Sequence, residues 1–320
     1  MHEFQLINKY LKPLTFKNSP SLNLSDDVFF DKKNNLIISV DTYNEGVHFL
    51  NFKKPELVIK KILRSSISDL ICKGVYPKYY FVSVSGNKKS ISIINLKKIR
   101  KSLKEEQKKY KLIIGGGDTT FSNKLSFSIS SVGFSNNIIS RNNAKLNDDI
   151  YVTGNIGDSY IGLLVLKNKI KLNKHLSDYF KNKYYLPDIK YSLTNYLKKI
   201  ANTSIDLSDG LIADLNKLLN NQKLSYNIFL NDIPISKKLS LLIKNKKIIK
   251  KNVISKGDDY EVLFTASKYK RNIIKKISKL KKIKITRIGY IKKNSSKSNV
   301  LCTNETKISF KNKGYLHSFD

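Results

Sequence analysis

Acidic residues are scarce in this chain, 25 Asp and Glu against 60 Lys and Arg, yet they fall in short clusters beside Ser, Gly or Thr. The clusters are Ser25-Asp26-Asp27, Ser39-Val40-Asp41-Thr42, Ser68-Asp69, Gly115-Gly116-Gly117-Asp118-Thr119-Thr120, Asp206-Leu207-Ser208-Asp209-Gly210 and Gly257-Asp258-Asp259-Tyr260-Glu261. Most follow a segment that reads as a strand, so Asp41, Asp118 and Asp206 are expected at strand ends, where side chains converge. Carboxylate and hydroxyl oxygens are hard donors that suit Mg²⁺, and Mg²⁺ points in turn to phosphate chemistry. The triple glycine before Asp118 would let backbone N–H groups approach phosphate oxygens closely. Taken alone, a Ser-Asp pair is more often a turn or a helix cap than a ligand. No Gly-Lys-Ser/Thr completes a Walker loop, and no His-Arg-Asp or Asp-Phe-Gly text marks a protein kinase.

The elements that must hold these acids can be read from periodicity. Residues 36–40, 79–84, 112–114, 125–134 and 150–153 alternate or run apolar as strands do. From Pro55 the positions Ile59, Ile62, Leu63, Ile67, Leu70 and Ile71 keep helical spacing, with Gly74 and Pro77 as a stop. Leu96, Ile99, Leu103 and Tyr110 repeat the pattern on a charged helix. A boundary near residue 145 precedes DDIYVTGNIGDSYIGLLVL, a strand, turn and helix in which Asp158 or Ser159 is expected as the cap. Leu211, Ile212, Leu215, Leu218 and Leu219 form one later helical face; Ile273, Ile274, Ile277 and Leu280 form another. Ile283, Ile285 and Ile288 then alternate as a strand. The expected class is α+β, or mixed α/β, in two domains, 1–145 and 146–320.

Composition narrows the function classes. A net charge of +35 would ordinarily suggest nucleic acid or an anionic membrane. Here Lys is scattered along the whole chain with Asn and Ile, residues that share A/T-rich codons, and no stacking ladder of aromatics or zinc-knuckle spacing accompanies it. Neither nucleic acid nor membrane is expected as a partner. Cys72 and Cys302 lie far apart in no metal-ligand spacing and read as reduced thiols. The N-terminal MHEFQLINKYLKPL lacks a continuous apolar core, and no apolar run approaches the ~20 residues that span a bilayer. A soluble, cytoplasmic protein is the expectation.

The ordered motifs SDDVFF, VDTYNEGVHFL, SDLICKGVYP, IIGGGDTT, YVTGNIGDSYIGLL, IDLSDGLIADL, GDDYEVLFT and KGYLHSF together resemble the thiamine-monophosphate kinase family. That family lies within the superfamily of aminoimidazole ribonucleotide synthetase and selenophosphate synthetase. The resemblance implies a two-domain fold like that of aminoimidazole ribonucleotide synthetase, with N-terminal sheets pairing in a homodimer and a sandwich-like α/β C-terminal domain. It implies direct in-line transfer of the ATP γ-phosphoryl group to thiamine monophosphate, with several Mg²⁺ ions. By the same resemblance Asp27, Asp41, Asp69, Asp118, Asp206 and Asp209 would bind metal, with Ser39 and the backbone carbonyl of Val40 assisting. Gly117, Asp118, Arg141 and Ser208 would contact ATP; His48, Asp258 and Tyr315 would face thiamine monophosphate. Asp118, Arg141 and Asp209 would carry the catalytic burden.

These roles are chemically coherent. Divalent ions and Arg141 would offset the repulsion between two phosphate chains. The Tyr315 face suits the fixed positive charge of a thiazolium, and Asp258 can accept hydrogen bonds from an aminopyrimidine. His48 could touch the substrate phosphate, which has its second pKa near ~6 and needs no general base. The sequence departs from the family pattern at Val40, where Thr is common, and at Asp258, where Glu is usual. Two other readings stand beside this one: a different ATP-dependent enzyme of the same superfamily, and a basic nucleic-acid-binding protein.

Overall fold

The computed structural model describes residues 1–293, 298–301, 306–310 and 314–319; Cys302 lies outside the described residues. The chain opens with a short helix, α1 (Glu3–Leu6), and then builds its first sheet. That sheet contains β1 (Phe29–Asp31), β2 (Leu36–Asn44), β3 (Pro77–Gly86), β4 (Ile113–Phe121) and β5 (Ser126–Phe134) in the order β1-β2-β5-β3-β4. Only β3 and β4 run parallel; the other neighbours are antiparallel. The inward face, with Ile37, Tyr43, Tyr80, Phe127 and Ile129, packs on α2 (Pro55–Cys72), and α3 (Ile93–Tyr110) lies against α2.

A second, six-stranded sheet follows. It takes β6 (Asp149–Thr153), β7 (Thr203–Asp206), β8 (Leu224–Phe229), β9 (Val262–Ala266), β10 (Ile285–Lys293) and β11 (Asn299–Leu301) in the order β11-β8-β10-β6-β9-β7. All pairs are antiparallel except β11 with β8. Around it stand α4 (Asp158–Leu166), α5 (Lys174–Tyr185), α6 (Thr194–Ile200), α7 (Leu211–Leu218), α8 (Lys237–Lys244), α9 (Lys250–Ile254) and α10 (Arg271–Lys281). The mixed α/β class expected from the sequence is the class observed.

The helix that ties the halves together is α2. Pro55 starts it, at a position where the missing N–H costs nothing. Its apolar residues fill the core against the first sheet, while β7, α5 and α6 cover its other side. The helix is therefore buried nearly all round, and Lys61, Arg64, Ser65, Ser66 and Ser68 are buried with it. A helix buried on every side is normally apolar throughout, so these polar side chains must be satisfied by specific partners.

Two local expectations change. The strand anticipated at 112–114 extends to Phe121, because the glycines, poor strand formers in isolation, are held by parallel pairing with β3. A Cβ at Gly117 would fall 1.8 Å from the Val82 carbonyl oxygen, so only glycine lets the strands approach so closely. At α4 neither Asp158 nor Ser159 is the cap: Gly157 holds that position. The distant Asp259 accepts from the Gly157 and Ser159 backbone N–H groups at 2.7 and 3.4 Å.

Candidate active site

Three carboxylates meet where α2 crosses from the first sheet to β7. Ser39, Asp41 and Tyr43 alternate inward along β2 toward the helix, which presents Ser68 and Asp69; Asp206 ends β7. Ser39 Oγ donates to Asp69, Ser68 Oγ donates to Asp206, and Asp41 is hydrogen-bonded by Tyr43 and Ser66. Burial, then the neighbouring Asp206, pushes the Asp41 carboxyl up to about 7. Burial followed by the charges of Asp41 and Asp206 holds Asp69 well above the usual carboxylate range. Burial also raises Asp206. Negative charge is thus gathered here beyond what the hydroxyls offset, a condition that favours a bound cation.

The basic groups nearest this cluster are already engaged. Lys73 Nζ lies 2.7 Å from Asp26 and 2.8 Å from Asp27 and donates to the Ser204 carbonyl at 2.9 Å. Arg141 donates from Nε to Asp27 at 3.1 Å and pairs with it again through the guanidinium; its backbone N–H reaches Asp26 at 2.8 Å. Asp27 therefore faces two cations in this conformation, and Arg141 is turned toward a carboxylate. Among the described residues no three His, Cys, Asp or Glu side chains already enclose a point as a finished metal cage would. Mg²⁺ does not need one, since it commonly binds through one or two carboxylates, waters and substrate phosphates. The oxygen donors and their excess charge fit such an ion.

The 206–210 turn connects this cluster to a second one. The backbone N–H groups of Asp258 and Tyr315 donate to the Ser208 and Asp209 carbonyls at 2.8 and 3.0 Å, and Tyr260 N–H donates to Leu207. A Cβ at Gly257 would collide with the Ser208 carbonyl, so glycine is what lets the two loops lie together. Asp209 pairs with Lys217, which also lies 3.5 Å from the buried Asp214. His48 and His317 stand with ring centroids 5.5 Å apart, and Tyr315 meets His317 edge-on at 4.9 Å. His48 Nδ1 accepts from the Asn44 N–H at 3.0 Å. Burial, then His317, pulls the His48 pKa below its ordinary value.

Of the residues singled out in the sequence, the fold brings together Asp41, Asp69, Asp206 and Ser39 in one cluster and His48, Asp258 and Tyr315 around the other. Ser208 and Asp209 lie on the turn between them, and Asp27 with Arg141 lies beside the first. Of the three acids expected at strand ends, only Asp206 sits at one; Asp41 and Asp118 lie within β2 and β4 because both strands run on past them. Val40 points to the opposite face of β2 and is 66% exposed.

Asp118 and Gly117 stand apart. Thr42, Ser128, Ser83 and Asp118 share one row across four strands. This is the outer face, marked by the Thr42–Ser128 and Thr120–Ser85 hydroxyl contacts. Asp118 is thus on the face away from Asp41, with two strands between their own, and all of β4 is exposed.

Sequence reasoning missed Lys61, Lys73, Asp214, Lys217 and His317. The available signal was the spacing of Lys61, Ser65, Ser68 and Cys72 on α2, a polar stripe that normally marks a solvent face. Here it faces the second half of the chain.

The N-terminal domain model of AIR synthase related proteins matches residues 25–135, which places the first sheet and its helices in that class. Full-length relatives specify it further. A thiamine-monophosphate kinase of Buchnera aphidicola subsp. Acyrthosiphon pisum is 38% identical over 98% of this chain and 98% of its own. That of Bacillus subtilis is 30% identical over 99% of both. The chain belongs to the thiamine-monophosphate kinase family. A solved structure described as AaThiL complexed with AMPPCP and TMP superposes with a TM-score of 0.85, at 27% identity over 99% of this chain and 97% of that one.

Proposed function

We propose that this protein transfers the γ-phosphoryl group of ATP to the phosphate of thiamine monophosphate, giving thiamine diphosphate and ADP by direct in-line displacement. Membership of the family supports the reaction, and so does a structural relative that holds AMPPCP, a methylene analogue of ATP, together with TMP. Within this chain the observation that carries the reading is the 206–210 turn. Asp206 at its start belongs to the carboxylate cluster, while the carbonyls of Ser208 and Asp209 hold the backbone of Asp258 and Tyr315. A polyphosphate site and an aromatic, acid-bearing acceptor site thereby become neighbours.

Asp41, Asp69 and Asp206 would hold Mg²⁺, with Asp27, Asp209, Ser39 and the Val40 carbonyl around them. When bound, Mg²⁺ would offset the charge of two phosphate chains brought together. Ser208 would orient ATP, joined by Gly117 where a second subunit supplies it together with Asp118. Arg141 would meet developing phosphoryl charge once released from Asp27. His48, Asp258 and Tyr315 would seat the acceptor so that its anionic oxygen attacks in line. Positioning and electrostatics then suffice, with no covalent phospho-enzyme.

Asp118 belongs to this site only if a second subunit supplies it. Its edge strand carries exposed Ile113, Ile114 and Phe121, and the same outer face exposes Val40 and Phe81. An edge and apolar face of this kind are normally covered, which supports a homodimer formed through the first sheet. A division near residue 145 is supported by the two sheets, which are drawn from either side of it. The buried thiol of Cys72 supports a reducing, cytoplasmic setting. Among the described residues no helix is long and apolar enough to cross a membrane.

The test is to incubate the purified protein with Mg²⁺-ATP and thiamine monophosphate, separate the products chromatographically, and repeat with Asp206→Asn. Thiamine diphosphate and ADP should form together and be lost in the variant. ATP turnover with thiamine monophosphate untouched would overturn the substrate assignment. Chiral γ-phosphate should emerge inverted; retention would mean a phospho-enzyme.

A further inference from the structure

Lys61 is an ammonium in an unusual place. It sits in the middle of α2 with its side chain 1% exposed, and its Nζ lies 2.5 Å from Asp258 Oδ2. The same Nζ stands 3.5 Å over the ring of Tyr184, a buried residue of α5. Tyr184 in turn donates through its hydroxyl to the His48 carbonyl at 3.4 Å. Taking an ammonium out of water is costly unless specific partners replace the water, and an aromatic face is such a partner. Burial pulls the Lys61 pKa down and Asp258 pulls it back up.

Asp258 needs external support. It is a non-glycine residue in the left-handed region at φ 76°, and Tyr260, two residues on, is there too at φ 51°. Its backbone is held by the Ser208 carbonyl, but its carboxylate is directed by a side chain from the other half of the protein. Lys61 occupies Oδ2 and leaves Oδ1 as an acceptor. Through Tyr184 the same ammonium braces the backbone at His48. One buried cation therefore touches Asp258 directly and His48 through Tyr184, two of the three residues assigned to the acceptor.

We propose that Lys61 is a positioning residue for the phosphoryl acceptor: it aims the Asp258 carboxylate and, over Tyr184, steadies His48, so that acceptor binding depends on it while ATP binding does not. The proposal rests on the function assigned above and deepens it.

The experiment measures kcat and both KM values for wild type, Lys61→Met, Lys61→Arg, Asp258→Asn and the double variant Lys61→Met/Asp258→Asn, with Mg²⁺-ATP and thiamine monophosphate. Lys61→Met should raise KM for thiamine monophosphate about tenfold or more, leave KM for ATP within about twofold, and lower kcat far less than kcat/KM. Lys61→Arg should recover part of the loss. The double variant should lose less than the two single losses combined, because both changes break the same ion pair while only Lys61→Met also empties the space over Tyr184.

An unchanged acceptor KM in Lys61→Met, an equal rise in both KM values, or strict additivity in the double variant would overturn the proposal. Should Lys61→Met unfold at the assay temperature, Tyr184→Phe and Tyr184→Leu carry the test: both remove the hydroxyl on the His48 carbonyl and only Leu removes the ring beneath the ammonium, so Tyr184→Leu should raise the acceptor KM beyond Tyr184→Phe, and equal effects would overturn the proposal. Wild-type turnover of thiamine monophosphate separately decides the functional reading. If wild type uses a different acceptor, the same KM ratios are read on that acceptor.

Discussion

A mixed-subunit experiment tests the assembly of the site most directly. Asp118 and Asp41 lie on opposite faces of the first sheet, in adjacent rows, with β5 and β3 between their strands. Three ladder spacings place them about 14 Å apart. Two carboxylate oxygens on one Mg²⁺ stand at most about 4 Å apart, so the two residues cannot share an ion within one chain. In a dimer that brings the exposed β4 edge of one subunit beside the carboxylate cluster of the other, each site would combine Asp41 of one subunit with Asp118 of its partner. Asp118→Asn and Asp41→Asn homodimers should each lose about 10²–10³ in kcat. Random reassortment makes about half the molecules heterodimers, and each then contains one intact site and one doubly altered site. The mixture should recover about a quarter of wild-type activity, and heterodimers isolated with two different affinity tags about half. Heterodimers as inactive as the parents would refute the shared site, as would an isolated chain that stays monomeric and active at micromolar concentration.

The remaining expectations concern stability and local geometry. Arg64 and Glu106 form a buried bidentate pair at 2.8 Å, so Arg64→Met alone should cost about 3–5 kcal/mol in denaturant unfolding, whereas Arg64→Met with Glu106→Leu should be close to neutral. Gly257→Ala would place a Cβ 1.7 Å from the Ser208 carbonyl; it should push the 257–261 loop off the 206–210 turn and raise the acceptor KM more than the ATP KM in steady-state assays. Because the His48 pKa is lowered in the folded state, its contribution to stability is present above the unfolded value near ~6.5 and is lost as pH falls through the folded one. His48→Gln should therefore lessen the drop in melting temperature between pH 7 and pH 5, and an equal drop in both proteins would show that His48 titrates alike folded and unfolded.

The sequence revealed strands and helices where one face of an element meets one environment. β2 and β5 alternate cleanly, and the helix from Pro55 keeps its apolar spacing, so both were legible to within a few residues. Legibility failed where partners distant in sequence decide the outcome. Only the start of β4, within 112–114, was legible as strand, because the strand character of the glycines and of residues 118–121 comes from pairing with β3. The cap of α4 looked local because Asp158 and Ser159 are good capping residues, but Asp259, a hundred positions away, occupies those N–H groups. The acids of the site were visible because acids are rare in so basic a chain. The lysines that hold them were not, since Lys61, Lys73 and Lys217 look like any other members of that basic population.

The same asymmetry explains why α2 matters. A helix buried on all sides gains most from being apolar, yet Lys61, Arg64, Ser65, Ser66, Ser68 and Asp69 occupy it in near succession. Each of their partners lies elsewhere in the chain or one turn away: Asp258 for Lys61, Glu106 for Arg64, Ser131 for Ser66, Asp206 for Ser68 and Ser39 for Asp69. Replacing these contacts by apolar packing would raise stability or leave it nearly unchanged, so stability alone does not account for them. They make the junction between the two sheets polar at the place where Asp41, Asp69 and Asp206 converge. A cation and phosphate groups could enter such a junction, whereas a junction packed with leucine would close the site.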